Sequence, residues 1–161
     1  MIKKIFQFIY TTIVKFEARS YGLHLKVNHY SVVNKNVVLG NNVNFNGIRI
    51  TGGGKVTIGN NFHSGRECIM ISQNHNYEGT KIPYDETYVK KDIIIEDNVW
   101  LGDRVIVLGG NTIGEGAIIQ AGSVVTSDIP KCAIAGGHPA TVFSHRDINH
   151  YQTLKARGEY H

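Results

Sequence analysis

The chain is poor in proline, cysteine and tryptophan, with three, two and one among 161 residues. Cys68 and Cys132 cannot form the multi-bridge framework that staples small secreted domains. Few prolines beside 18 glycines, with 42% hydrophobic residues, exclude a disordered or Pro-rich chain and favour a turn-dense fold with a buried core. There is no dense basic run. A net charge of +4 therefore gives no reason to expect nucleic acid, though it is mildly compatible with an anionic ligand. No stretch approaches the roughly 18 uncharged apolar residues of a membrane span. The N-terminal apolar residues are interrupted by Lys15, Glu17 and Arg19, and no small-residue cleavage site follows. The expectation is a cytoplasmic protein with neither signal peptide nor membrane span.

What the chain does have is a period of six. From 95 to 130 the first position of each hexad is aliphatic: Ile95, Leu101, Val107, Ile113, Ile119 and Val125. The fifth is small or β-branched (Val99, Val105, Ala117, Ser123, Ile129), with Asn111 the exception. Helices repeat apolar residues every three or four positions and amphipathic strands every two. A six-residue period instead predicts short strands joined by Gly, Asn and Asp turns, three strands to a triangular coil, with coils stacked about 4.8 Å apart. The period runs back, more weakly, through 33–50 and 58–75. It breaks at 51–57, where Gly52, Gly53 and Gly54 form a turn rather than a phosphate loop, and again at 76–94. A loop that long between regular coils is usually functional.

Residues 2–19 carry Ile2, Ile5, Phe6, Ile9, Ile13 and Phe16 at helical spacing. They predict a helix packed on the first coil or on a neighbouring subunit. The alternative is a helix lying on a membrane surface, with Lys3, Lys4 and Lys15 near anionic lipid. A last helix is expected after Ser144 or Asp147, covering the final coil. The divisions are thus 1–22, 23–143 with an extruded loop at 76–94, and 144–161.

Asn74-His75-Asn76-Tyr77 closes one coil. Ile95-Glu-Asp-Asn-Val-Trp-Leu-Gly102 opens the next, and Gly122-Ser-Val-Val-Thr-Ser-Asp-Ile-Pro130 precedes Ala135-Gly-Gly-His-Pro-Ala140. These segments resemble the hexapeptide-repeat acyltransferases, and in particular their sugar O-acetyltransferase branch. The resemblance implies an all-β solenoid, a left-handed parallel β-helix of about four 18-residue coils between terminal helices. It also implies a homotrimer with sites between subunits, acetyl-CoA as co-substrate, and transfer to a sugar hydroxyl without an acyl-enzyme. The tail Arg146-Asp-Ile-Asn-His-Tyr-Gln-Thr-Leu-Lys155 resembles the polysaccharide O-acetyltransferase subgroup, which implies a surface-glycan precursor as acceptor. N-acetylation of a nucleotide-linked amino sugar, an antibiotic acetyltransferase and a silent scaffold are the rival readings.

By the same resemblance His75 is the catalytic base. It would take the acceptor hydroxyl proton and return it to the thiolate, a task matched to a neutral imidazole near pH 7. Trp100 faces outward as a platform for pantetheine or sugar. Asp103, Ala121, Thr126 and Ser127 would line the CoA site. Ser127 stands where a lysine is common in the family, and Thr141 near where a lysine or arginine is, so Lys131, Arg104 or a neighbouring subunit is expected to meet the phosphates. Asn44, Asn46, Asn74, Tyr77 and Tyr84 are the candidate acceptor contacts, and the loop residues Tyr77, Glu78, Tyr84 and Asp85 could bind hydroxyls or orient His75. No metal is expected, since His63 and His75 alone do not make a three-histidine zinc site.

Overall fold

The structure, a computed structural model, describes residues 2–161. The chain winds into a three-faced parallel β-helix. The first face stacks Val37–Leu39, Val56–Ile58, Ile93–Ile95 and Thr112–Ile113. The second stacks Lys26–His29, Asn44–Asn46, His63–Ser64, Trp100–Leu101, Ile118–Ile119 and Ala133–Gly137. The third stacks Ile48–Thr51, Cys68–Ile71, Ile106–Leu108 and Val124–Val125. The second face shows six rungs, where the hexads suggested about four coils. The outermost rungs meet the other faces only through single bridged residues, Ser20 and Val32 at one end and Ile129 at the other, so they leave little hexad signal.

All six first-position aliphatics of 95–130 point inward and are at most 1% exposed. The fifth positions are buried with them, Asn111 included. Its amide donates to the Leu108 carbonyl at 2.8 Å, which meets the need of a buried polar group for a partner.

The edges fix the register. Between the first and second faces Asn42, Asn61 and Asn98 adopt left-handed φ of 53°, 55° and 61° in successive rungs. Gly116 and Cys132 continue the column at 72° and 56°. Asparagine tolerates this region better than most side chains, and here it also links rungs. Asn42 Nδ2 donates to Asn61 Oδ1 at 3.1 Å, Asn61 Nδ2 to Asn98 Oδ1 at 2.9 Å, and Asn98 Nδ2 to the Tyr151 hydroxyl at 2.8 Å. Beside this ladder Asp97 Oδ1 accepts from the Asn60 amide at 2.7 Å. At the next edge Asp103 Oδ1 accepts from the Arg66 amide at 2.8 Å. A Cβ on Gly59 or Gly65 would lie 2.4 Å from those carboxylate oxygens, so glycine precedes each accepted amide.

Helix α1 (Ile2–Glu17) closes the first rung. The Val27 amide, which has no strand below it, donates to Thr11 Oγ1 at 3.0 Å, and Gln7 bonds Asn28 at 2.6 Å. Val14 and, just past the helix, Ala18 enter the core, and Tyr10 packs against it. The stripe expected to pack is therefore not the one that packs. Ile2, Ile5, Phe6, Ile9 and Phe16 remain exposed, because the open strand edge selects hydrogen-bonding side chains.

At the far end Ala140–His145 folds back antiparallel on Ala133–Gly137 and covers the last strand. Helix α2 (Ile148–Ala156), capped by Asp147 accepting from the His150 amide at 3.0 Å, does not cover the final coil as expected. It lies along the first–second edge. Its anchor is Glu115, which accepts from Tyr151 Oη (2.7 Å), Lys155 Nζ (2.5 Å) and Lys131 Nζ (2.8 Å). Burial opposes ionisation of Glu115, but these donors outweigh it and hold the carboxyl at about 2.

Two stability predictions follow from these contacts. Asn61→Ala should cost about 2–3 kcal/mol in urea unfolding, from a strained φ and the lost ladder bonds, whereas Asn61→Gly should cost only about 1 kcal/mol. Because the folded-state pKa of Glu115 is depressed, its contribution is full above its ordinary value near 4.5 and fades as pH falls towards 2. Glu115→Gln should therefore lower stability at pH 7 by about 1–2 kcal/mol, allowing for the exposure of Lys131. That deficit should shrink as thermal melts are run at pH values descending from 4.5.

Candidate active site

The third–first edge breaks open at the third rung. Gln73–His75 and Tyr88–Lys90 pair antiparallel as a hairpin, with His75 opposite Tyr88. The predicted loop at 76–94 is thus the tip and return strand of an arm, and its last residues rejoin the first face at Ile93. The His75 ring stacks on Tyr84, centroids 3.8 Å apart and planes 16° from parallel. It tilts against Tyr88 at 4.7 Å. Among the described residues no hydrogen bond reaches either ring nitrogen, and the side chain is exposed. His75 is therefore held by two aromatic faces while both nitrogens stay free for a ligand.

The arm is fastened by Asp85. Its carboxylate accepts from the Thr87 hydroxyl (2.5 Å), the Thr87 amide (2.9 Å) and the Thr80 amide (3.0 Å). The Thr87 hydroxyl foremost, then the two amides, hold its pKa below the usual carboxylate range. A Cβ on Gly79 would come within 2.0 Å of Asp85 Oδ2, so glycine is required where the loop crosses its own anchor. Asp85 shapes the loop and does not bond His75. Glu78 and Tyr77 are exposed on the loop, and Asn74 is exposed in the hairpin strand. Tyr84 is the loop residue in contact with the histidine, a role given by three-dimensional folding rather than by spacing.

A second feature lies on the second face. Asn44, His63, Trp100 and Ile118 occupy one column in successive rungs. Trp100 is 49% exposed. With α2 and the chain end, this column encloses a groove of about 540 Å³, walled on the helix side by Tyr151, Lys155 and Tyr160. The His161 ring lies 5.7 Å from the His63 ring. Burial, then the charge of His161, lowers the pKa of His63. His63 Nε2 is 3.1 Å from Asn46 Nδ2, while Asn46 Oδ1 accepts from Asn28 Nδ2 at 2.8 Å. His63, not singled out beforehand as a site residue, thus joins the two candidate acceptor asparagines. It had the same outward position in its rung as Trp100, which was the signal available in the sequence.

The remaining candidates spread over all three edges. Asp103 and Ala121 sit at the second–third edge in adjacent rungs, Asp103 bonding Arg66 and Ala121 exposed. Thr126 and Ser127 are exposed beyond Val124–Val125, on the same third–first edge as His75. Lys131 is at the first–second edge, paired with Glu115, and Arg104 pairs with Glu67 at 2.8 Å. The histidine edge and the tryptophan face of one chain are separate places. Among the described residues no group of three or more His, Cys, Asp or Glu side chains could hold a metal, and no helix is long and apolar enough to cross a membrane.

Residues 92–127 match the family described as bacterial transferase hexapeptide (six repeats). The galactoside O-acetyltransferase of Escherichia coli is 35% identical over 128 residues, covering 74% of this chain and 58% of that protein. The chain spans about half the length of the curated relatives it matches. A solved galactoside acetyltransferase in complex with coenzyme A superposes with a TM-score of 0.74 at 24% identity, over 93% of this chain and 82% of the other. A hexapeptide-repeat acetyltransferase of Vibrio cholerae complexed with acetyl coenzyme A gives 0.70 at 25% identity, over 84% and 76%. The chain thus carries a bacterial transferase hexapeptide segment over residues 92–127 and is a homologue of the galactoside O-acetyltransferases, with the same β-helix fold.

Proposed function

We propose that the chain is an acetyl-CoA-dependent acetyltransferase that esterifies a sugar hydroxyl, on a glycan precursor of surface-polysaccharide assembly. It would act as a homotrimer whose sites form where the His75 edge of one copy meets the Trp100 face of another. The observation that carries the reading is the histidine itself. It is exposed on an anchored arm, stacked between Tyr84 and Tyr88, and has both nitrogens free. Two features support the assembly. The His75 edge and the Trp100 face belong to different parts of the prism, so a second copy is needed to join them. In addition, the outer side of the third face is apolar, with Ile69, Ile71, Ile106 and Leu108 only partly covered, as expected of a sheet that packs against another copy.

The residues suit the chemistry. A sugar hydroxyl is a weak nucleophile at neutral pH, and an imidazole within reach removes its proton as it attacks the thioester carbonyl. The same nitrogen then returns the proton to the departing thiolate, so no covalent intermediate on the protein is required. Stacking on Tyr84 restrains the ring to one plane without occupying either nitrogen. Restraint of this kind contributes through orientation. The half-exposed Trp100 indole offers a flat apolar surface to a pantetheine arm. Asn44 is buried, and Asn46 spends its amide on Ser64 and His63 and its carbonyl on Asn28, so either would have to exchange a bond within the chain for one to an acceptor hydroxyl. Asp103, Ala121, Thr126 and Ser127 are assigned to the CoA side by their resemblance to the acetyltransferase motif, with Lys131 as a candidate phosphate contact. Asn74, Tyr77 and Tyr84 are assigned to the acceptor side.

The test is thiol release from acetyl-CoA with free sugars, nucleotide-linked amino sugars and lipid-linked glycans as acceptors. An alkali-labile acetylated sugar is the expected product, and an alkali-stable one would indicate N-acetylation instead. His75→Ala should lower kcat by about two to four orders of magnitude. Tyr84→Ala should lower it by about tenfold with melting unchanged, since the ring loses only its restraint. Release that is indifferent to His75→Ala with every acceptor would end the enzyme reading.

A further inference from the structure

The helix that closes the first rung is turned inside out. Its polar side chains Gln7 and Thr11 face the protein, each bonded to the first strand. Apart from Val14 and Tyr10, which meet the core, its large apolar side chains turn towards solvent. Ile2, Ile5, Phe6, Phe8, Ile9 and Phe16 are between 43% and 81% exposed. On an ordinary surface helix the apolar stripe is the buried one. The inversion has a local cause, because the unpaired amide of Val27 needs an acceptor, which a hydroxyl supplies and an aliphatic side chain does not. That cause explains the inward face, but not six large apolar side chains outside.

We infer that the outward face of α1 is a docking surface for an anionic lipid bilayer, with the helix lying in the plane of the headgroups. Three observations select this occupant. First, Lys3, Lys4 and Lys15 are exposed along the borders of the stripe, and Glu17, the last residue of α1, is its only acidic one. Lysine is depleted from the core of protein–protein contacts, whereas basic residues bordering a Phe- and Ile-rich face characterise helices that bind anionic headgroups. Second, α1 has 16 residues and three lysines, too short and too charged to span a bilayer but suited to lie on one. Third, the apolar surface suited to contact between copies lies elsewhere, in the partly covered Ile69, Ile71, Ile106 and Leu108 of the third face. By contrast, α1 covers the open end of the stack and turns its stripe away from it. The docking does not depend on the acetyl-transfer reading.

The experiment is flotation of the full chain with vesicles of phosphatidylcholine alone or mixed with phosphatidylglycerol. The wild type is expected to float with the mixed vesicles at least about tenfold better than with the neutral ones, and to lose that advantage at high salt. A variant carrying Ile5→Ser, Phe8→Ser and Phe16→Ser should stay at the bottom with both. One carrying Lys3→Gln, Lys4→Gln and Lys15→Gln should fall to the neutral-vesicle level. All the substituted side chains face solvent, so melting curves should match wild type, and each variant checks the other. The inference is overturned if the wild type floats no better with the anionic vesicles or if the serine variant floats like wild type. It is also overturned if light scattering shows that the serine substitutions change the number of associated copies while the wild type binds neither vesicle, which would make the occupant a second copy.

Discussion

The structure depends on the left-handed turn at the edge between the first and second faces. A parallel β-helix must change direction three times per coil without losing register, and each change requires backbone that most side chains resist. Here Asn42, Asn61 and Asn98 take the turn and bond one another across rungs. The residue that tolerates the geometry also sets the stacking distance. The inward aliphatic columns can pack only because these edges hold successive rungs level. Burial then provides most of the stabilisation, as in any solenoid whose units cannot bury a core alone.

Function sits where this regularity is interrupted or left unfilled. The third–first edge opens once, at the rung ending in His75, and the hairpin released there is fastened by its own carboxylate, Asp85. The Asn ladder ends on the hydroxyl of Tyr151, so the edge that orders the coils also seats α2 and shapes the groove around Trp100. The prism thus holds an exposed imidazole on one edge and a half-exposed indole on a face, rigidly but apart. In the proposed function, assembly of copies rather than loop closure brings the two together.

The six-residue period made the inward columns legible, down to the buried Asn111, because one side chain per strand reports directly on burial. The Gly-Asn-Asn corners were legible as turns, yet Glu67, Arg104 and Cys132 take the same left-handed conformation without a residue type that announces it. There the stacked backbone overrides local preference. The number of rungs was underestimated because end rungs are held by single bridges. The stripe on α1 was legible as a helix face, but of the partners expected for it (the first coil, a neighbouring subunit or a membrane surface) the first coil does not take it. Periodicity reveals an apolar face but not its occupant, and an open strand edge needed Thr11 and Gln7 more than isoleucines. At the candidate site, the exposure of His75 and Trp100 was legible from their places in the motifs, and Tyr84 was legible as one of four loop residues able to orient His75. The stacking geometry itself and the contact of His63 with Asn46 were not, since they join residues separated by a loop or by neighbouring rungs.

The account rests on the site being shared between copies, and mixing inactive variants tests this directly. His75→Ala and Trp100→Ala chains, each deficient alone, would be unfolded together and refolded as mixed assemblies. If the base of one copy serves the platform of another, about a quarter of the interfaces should combine an intact His75 with an intact Trp100, and acetyl transfer should return to about that fraction of wild type. A mixture no more active than its separately refolded components would contradict the shared site.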